Sequence, residues 1–240
     1  MGKFKITLIS DTHAKHDQIT KDLPGGDILI HAGDFMTSGY SPYEAEQFFN
    51  WFDAINTYET KIFIAGNHDR IMQAVPEWVE MVLDRYHSID YLQDEEWVLY
   101  FDGHNGDLPE ENIRVYGSPW QPEFFDWAFN LPRNGEEIKA KWDAIPTNTD
   151  ILVTHGPAYG HLDFVRYNGI NVGCELLAEH INTVSRPKIH VCGHIHQGYG
   201  YYFDGQTHYF NASVLDEQYK YANLPFNFEW DNITNEINWL

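Results

Sequence analysis

The chain has 240 residues, 43% apolar and 16% aromatic, which supports a packed core and excludes an intrinsically disordered chain. Its formal charge of −21 disfavours long nucleic acid as a partner, because duplex binding rests on Lys and Arg neutralising phosphates. A small phosphorylated molecule remains compatible, since bound divalent cations reverse the local field.

Two cysteines, Cys174 and Cys192, provide no disulfide framework and read as packed thiols. Met1 to Lys5 leads directly into an apolar run without a signal-peptide core, and no stretch reaches the roughly 18 apolar residues of a membrane span. The expectation is one domain, soluble and cytoplasmic, with no membrane partner.

In chain order, Phe4 to Ser10 predicts a buried strand, followed by the turn Asp11-Thr12-His13. Pro24-Gly25-Gly26 precedes a second strand, Asp27 to His31, which Gly33-Asp34 closes. Ser41 and Pro42 start a helix whose Phe48, Phe49, Phe52 and Ile55 recur at near-helical spacing. Lys61 to Ala65 is a third strand, ended by Gly66-Asn67-His68-Asp69. Strand, helix, strand in this order implies parallel pairing.

Residues 71–86 suit a helix that Pro76 interrupts. Glu96 to Phe101 and Asn112 to Tyr116 read as strands joined through Asp102 to Gly106. Ser118 to Pro122 forms a rigid loop, and Gly135 to Ala144 a short helix. Asp150 to Thr154 is a strand ended by His155-Gly156-Pro157. Val172 to Val184 fits a helix and Lys188 to Cys192 a strand, after which comes Gly193-His194-Ile195-His196. Gln206 to Asn211 and Phe226 to Trp239 predict further, antiparallel β-structure.

Polar residues punctuate the ends of these strands: Asp11, His13, Asp34, Asn67, His155, His194 and His196. Carboxylate, imidazole and one amide oxygen suit Mn²⁺, Fe, Zn²⁺ or Co²⁺, and are too rich in nitrogen for Ca²⁺ or a dedicated Mg²⁺ site. No thiolate joins them, which argues against a structural zinc site. Seven ligands exceed the need of one ion and suit two, with a carboxylate such as Asp34 between them.

The order Asp11-x-His13, Gly33-Asp34, Gly66-Asn67-His68-Asp69, His155, Gly193-His194-x-His196 resembles the calcineurin-like metallophosphoesterases. Five further blocks bring it near the metallophosphoesterase-domain subgroup: Tyr116 to Trp120, Thr154 to Pro157, Gly173 to Leu177, Gly198 to Gly200 and Asn211 to Ser213. The resemblance implies an α/β fold, a four-layer α/β/β/α sandwich of two mixed sheets flanked by helices. It implies one metal on Asp11, His13, Asp34 and His196, and a second on Asp34, Asn67, His155 and His194, with Mn²⁺ favoured. A hydroxide between the ions would attack phosphorus in line, with Asn67 and His68 as catalytic residues and His68 assisting the leaving group. Small phosphodiesters, cyclic nucleotides among them, are the implied substrates, with Trp120 and Tyr199 as candidate base-stacking residues.

Some subgroup members have Gly in place of the first His of Gly-His-x-His and look catalytically weakened; this chain keeps His194. Many relatives carry an acid three residues after the bridging aspartate, where this chain has Thr37. The imidazole of His68 then lacks that carboxylate, which predicts that esters with low-pKa leaving groups are cleaved best. The alternatives are a phosphomonoesterase, protein phosphatase or nuclease on the same site, or a non-catalytic, metal-stabilised scaffold.

Overall fold

A computed structural model describes residues 2–101 and 111–240, so the expected turn at Asp102 to Gly106 lies outside the described residues. The first half of the chain contains β1 (Lys3–Ile9), β2 (Gly26–Ala32), α1 (Pro42–Ala54), β3 (Tyr58–Ile64), α2 (Arg70–Ala74), α3 (Pro76–Leu83), β4 (Asp90–Tyr91), β5 (Glu95–Phe101) and β6 (Glu111–Ser118). There follow β7 (Gln121–Pro122), β8 (Asn130–Leu131), α4 (Glu136–Asp143), β9 (Ile151–Thr154), β10 (Phe164–Val165), β11 (Ile170–Asn171), α5 (Glu175–His180) and β12 (Ile189–Cys192). The chain ends with β13 (Gly200–Phe203), β14 (His208–Asn211), β15 (Phe226–Asp231) and β16 (Glu236–Trp239).

Two large sheets dominate, in strand orders β16-β15-β1-β2-β3-β4 and β13-β14-β12-β9-β6-β5. The steps between β1, β2, β3 and β4 are parallel, as are those between β6, β9, β12 and β14. The outer strands β15, β16, β13 and β5 pair antiparallel, so both sheets are mixed. Ile28 and Ile30 of β2, Ile62 and Ile64 of β3, Ile151 and Val153 of β9, and Ile189 and Val191 of β12 interlock between the sheets. The alternate residues face outward. Leu29 and Phe63 meet Phe48, Phe49 and Phe52 of α1, and Leu152 meets Ile138 and Trp142 of α4. Three apolar seams therefore separate four layers, and strands buried on both faces read as the continuous apolar runs of the sequence.

Two elements differ from expectation. The helix over 71–86 is two helices, because Pro76 has no N–H to continue α2 and instead opens α3. The helix over 172–184 is regular only from Glu175, since the amides of Val172, Gly173 and Cys174 are bonded to Asp163 O, Asp163 Oδ2 and Pro157 O; its end widens to a five-residue hydrogen-bonded turn, Arg186 N–H to Ile181 O. Tyr201 and Tyr202 lie on an edge strand, β13, paired with β14. Both cysteines are buried free thiols. No described helix is long and apolar enough to cross a membrane.

Lys61 is a buried cation on β3 that donates to the carbonyls of Phe52, Asp53 and Ile55 at 2.7–2.9 Å. It caps the end of α1, where the helix leaves acceptors unpaired. Lys61→Met should lower unfolding free energy by about 2–3 kcal/mol in urea titrations, since charged hydrogen bonds are lost and carbonyls stay buried.

Asp90 borders a cavity of about 520 Å³ that Glu80, Asp84 and Glu95 also line. Burial pushes its carboxyl up to about 6. A raised folded-state value penalises the fold above pH 6 and relieves it as pH falls toward the unfolded value. Asp90→Asn should therefore raise Tm at pH 8, and thermal melts should show that advantage vanishing by pH 4.

Candidate metal centre

Every candidate ligand sits just past the carboxyl end of a strand. Asp11 and His13 follow β1, Asp34 follows β2, and Asn67 follows β3, all from one sheet. His155 follows β9 and His194 and His196 follow β12, from the other. Asp11, His13, Asp34 and His194 all have positive φ, between 38° and 65°, so the chain turns sharply as it leaves each strand. Left-handed backbone is costly for these residue types and concentrates where function requires it. The loops also approach closely: a Cβ on Gly66 would lie 2.3 Å from Asp34 Oδ1, and one on Gly193 2.1 Å from Asp11 Oδ2.

The imidazoles share one orientation. Nδ1 of His13, His155 and His196 donates to the carbonyls of Met36, Ala32 and Asp216 at 3.0, 2.9 and 2.8 Å. Each Nε2 is thereby turned inward, the arrangement that prepares histidine for a metal. His155 Nε2 lies 3.3 Å from Asp34 Oδ2 and 3.0 Å from Asn67 Oδ1. His196 Nε2 is 3.4 Å from Asp11 Oδ1, and His13 Nε2 lies 3.9 and 3.8 Å from Asp11 and Asp34. Ligand atoms of Asp11, His13 and His196 lie within 4.8 Å of one another, as do those of Asp34, His155 and His194. The seven residues are together, and Asp34 stands between two groups.

Two features fit cations. His13 Nε2 is buried without a hydrogen-bond partner, a cost that a bound cation would remove. The charges agree. Burial works against a charged His155 or His196, but Asp34 and Asp11 outweigh it and push the two imidazoles up to about 9. Burial likewise opposes ionisation of Asp11 and Asp34, yet His196 and His155 hold them below the usual carboxylate range. His13 and His194 are driven down by burial, to about 4 and about 3. Two carboxylates side by side thus favour neighbouring positive charge, which divalent cations would supply.

Asp69 holds this frame from behind. Its buried carboxylate accepts the amides of Asp34 (2.9 Å), Phe35 (3.4 Å), Met36 (2.8 Å) and Gly66 (2.7 Å). Burial and the Asp34 charge push its carboxyl above the usual range, while the Gly66 and Met36 amides act against them. The side chain therefore serves the loops and not the neighbouring imidazole.

His68 is half-buried at the mouth. Its amide donates to Asp34 Oδ1 at 2.7 Å, and its Nδ1 lies 2.6 Å from the carbonyl oxygen of Thr37. The main chain of Thr37 thus occupies the role that a carboxylate side chain would fill, leaving Nε2 free.

The base-stacking expectations do not match the geometry. Trp120 donates from Nε1 to Asp94 at 2.8 Å and lies beneath the Lys141 ammonium, 4.4 Å from its ring centre. Tyr199 stacks on Phe226 and donates to Leu224 O at 2.7 Å. Neither lines the cleft of about 230 Å³ over the ligands; Phe124, Val165, Gln197, Glu217 and Tyr219 do. Tyr219 sets its ring edge-on to His13 and His196, on a turn with φ of 56°. These residues follow no periodic pattern in the sequence, so only the folded loops reveal them. His161 stacks on Tyr209 at 4.0 Å and also lies outside the cleft lining.

Asp69→Ala leaves several buried amides without an acceptor and should cost on the order of 3–5 kcal/mol by urea denaturation. It should also release metal from the purified protein, read by elemental analysis. Saturating Mn²⁺ should raise the Tm of chelator-treated wild-type protein, with about 2.7 kcal/mol gained at a hundredfold excess over Kd.

Residues 4–198 match the calcineurin-like phosphoesterase family. The chain is 40% identical over 247 aligned residues to metallophosphoesterase domain-containing protein 1 of Homo sapiens, covering 93% of this chain and 70% of that protein. The same values hold for its counterpart in Mus musculus. The structure of the Thermus thermophilus protein TT1561 superposes with a TM-score of 0.64 at 15% identity, covering 99% and 98% of the two chains, and shares the fold. Family match, relatives and ligand geometry agree: the chain belongs to the calcineurin-like phosphoesterases, a family that binds divalent metals, and is of the metallophosphoesterase-domain kind.

Proposed function

We propose that the protein is a dinuclear, Mn²⁺-preferring phosphodiesterase acting on small phosphodiesters such as cyclic nucleotides. The observation that carries this reading is the cleft wall. Among the described residues lining it there is no lysine or arginine, while Phe124, Val165, Ile195 and Tyr219 present apolar surface beside the ligands. A monoester dianion lacks cationic side chains to meet its second charge here. A diester carries one negative charge and two organic groups, which suits a small charge at the centre and apolar walls around it.

Bound to Asp11, His13, Asp34 and His196, and to Asp34, Asn67, His155 and His194, divalent cations would supply positive charge to the phosphoryl oxygens and water acidified toward neutral pH. The nitrogen and oxygen donor set, without thiolate, supports Mn²⁺. Asn67 offers a neutral oxygen that leaves the cations less neutralised than another carboxylate would. His68, held by Thr37 O through Nδ1 and lining the cleft, would donate from Nε2 to the leaving oxygen. Phe124 and Tyr219 flank the ligands, where an aromatic base or aryl group can rest against them. The cytoplasm, with its nucleotide pool, is the compartment this reading suits.

The test is hydrolysis of bis-p-nitrophenyl phosphate beside p-nitrophenyl phosphate by metal-stripped protein, with and without Mn²⁺. The expected result is Mn²⁺-dependent cleavage with the higher kcat/KM on the diester, lowered roughly 100-fold or more in Asn67→Ala and His196→Ala. Preference for the monoester would move the reading to a phosphatase. Full metal occupancy without any hydrolysis would favour the scaffold.

A further inference from the structure

We propose that Trp127 is a positioning residue for His68, fixing the plane of the imidazole so that Nε2 points at the leaving oxygen. The inference rests on the phosphodiesterase reading. The two rings stack with centroids 4.0 Å apart and planes 23° from parallel. The hydrogen bond from Nδ1 to Thr37 O fixes one ring atom and the His13 ring meets the imidazole edge-on with centroids 4.7 Å apart, but neither lies parallel to the ring face, and the second torsion of histidine is broad. An indole laid against the face restricts that torsion. Two constraints of different kinds then do together what a carboxylate partner would do in relatives that carry one.

Trp127 is itself held to the catalytic segment. The next residue, Ala128, donates its amide to Asn67 O at 3.1 Å, and Phe129 donates to Gln73 Oε1 at 2.7 Å. Ala128 and Phe129 are buried. Arg70, two residues after His68, sets its guanidinium 4.6 Å from the indole centre and donates to the carbonyl of Asp126. The indole therefore moves with the loop that carries Asn67 and His68. Trp127 is not among the residues lining the cleft, whereas His68 is, so its influence on the reaction runs through His68.

In the step concerned, water forms the new bond to phosphorus and gives up one proton to solvent. The bond from phosphorus to the leaving oxygen breaks, and its electron pair remains on that oxygen. The oxygen takes the Nε2 proton of His68, and the imidazole keeps its Nδ1 proton on Thr37 O. A misaligned ring costs most when the leaving oxygen is basic and needs that proton.

The experiment measures kcat of the Mn²⁺-loaded protein on methyl aryl phosphates, from 2,4-dinitrophenyl to phenyl, for wild type, Trp127→Phe, Trp127→Ala, His68→Ala and the His68→Ala/Trp127→Ala double variant. Trp127→Ala should lose roughly 10–100-fold on the phenyl ester, the cost of a slightly misplaced group, and less than about threefold on the dinitrophenyl ester. Trp127→Phe, which keeps an aromatic face, should recover most of the loss. Trp127→Ala should add little to His68→Ala. Metal content should be unchanged. In the metal-free protein, the His68 ring-proton resonances should lie upfield and move downfield in Trp127→Ala, as the stacked face is lost. An equal loss on every leaving group, additivity with His68→Ala, or no loss at all overturns the role of Trp127 while the phosphodiesterase reading stands. No turnover by the wild-type protein on any ester overturns both.

Discussion

The apolar seam between the two sheets sets the position of everything that carries chemistry. Ile28, Ile30, Ile62 and Ile64 meet Ile151, Val153, Ile189 and Val191 across it. A one-residue slip of any of these strands would exchange the residues packed between the sheets for those packed against the helices, so register is set by the fit of the side chains. Because the strands that end in ligands are parallel within each sheet, they finish at one rim. Asp34 of one sheet thereby comes within 3.3 Å of His155 of the other. The geometry of the candidate metal centre is a by-product of burying hydrocarbon, refined locally by Asp69 and the carbonyls that orient the imidazoles.

Most of the frame was legible in the sequence for that reason. Apolar runs ending in a glycine or a polar residue mark parallel strands, and the seven candidate ligands lie at those ends because the strands deliver them there. Helix α1 was equally readable, with Ser41 accepting the Glu44 amide and Pro42 in the first turn. The walls of the cleft were not. Phe124 and Tyr219 sit on irregular loops, where the side-chain direction depends on turn geometry and no period exists to read. Trp120 and Tyr199 are aromatics in recognisable blocks, but one anchors on Asp94 and the other on Phe226. Aromatic residues make up 16% of the chain, and packing claims most of them.

Thr37 shows how far a missing side chain can mislead. Losing a carboxylate from a position removes a charge, yet the main chain there still carries an acceptor. The loop delivers that carbonyl to His68 Nδ1 at 2.6 Å. A neutral acceptor orients the ring without the electrostatic pull of a carboxylate, so geometry is preserved while the charge balance of the mouth changes. Asp69, adjacent in sequence, is unavailable for the task because its oxygens are committed to the amides of the Asp34 and Gly66 loops.

The backbone of His194 carries a different kind of consequence. Its φ of 65° lies in a region that costs an L-residue with a side chain roughly 1–2 kcal/mol and glycine almost nothing. Folding alone therefore favours glycine at this position, and only the chemistry of the imidazole opposes it. Asp11, His13 and Asp34 share that backbone, but their side chains also hold the loops, through His194 and Ser213, Met36, and His68 respectively. Should a lineage cease to need hydrolysis, drift to glycine at His194 would be downhill in backbone free energy, and the sandwich would outlast its centre as an inert fold.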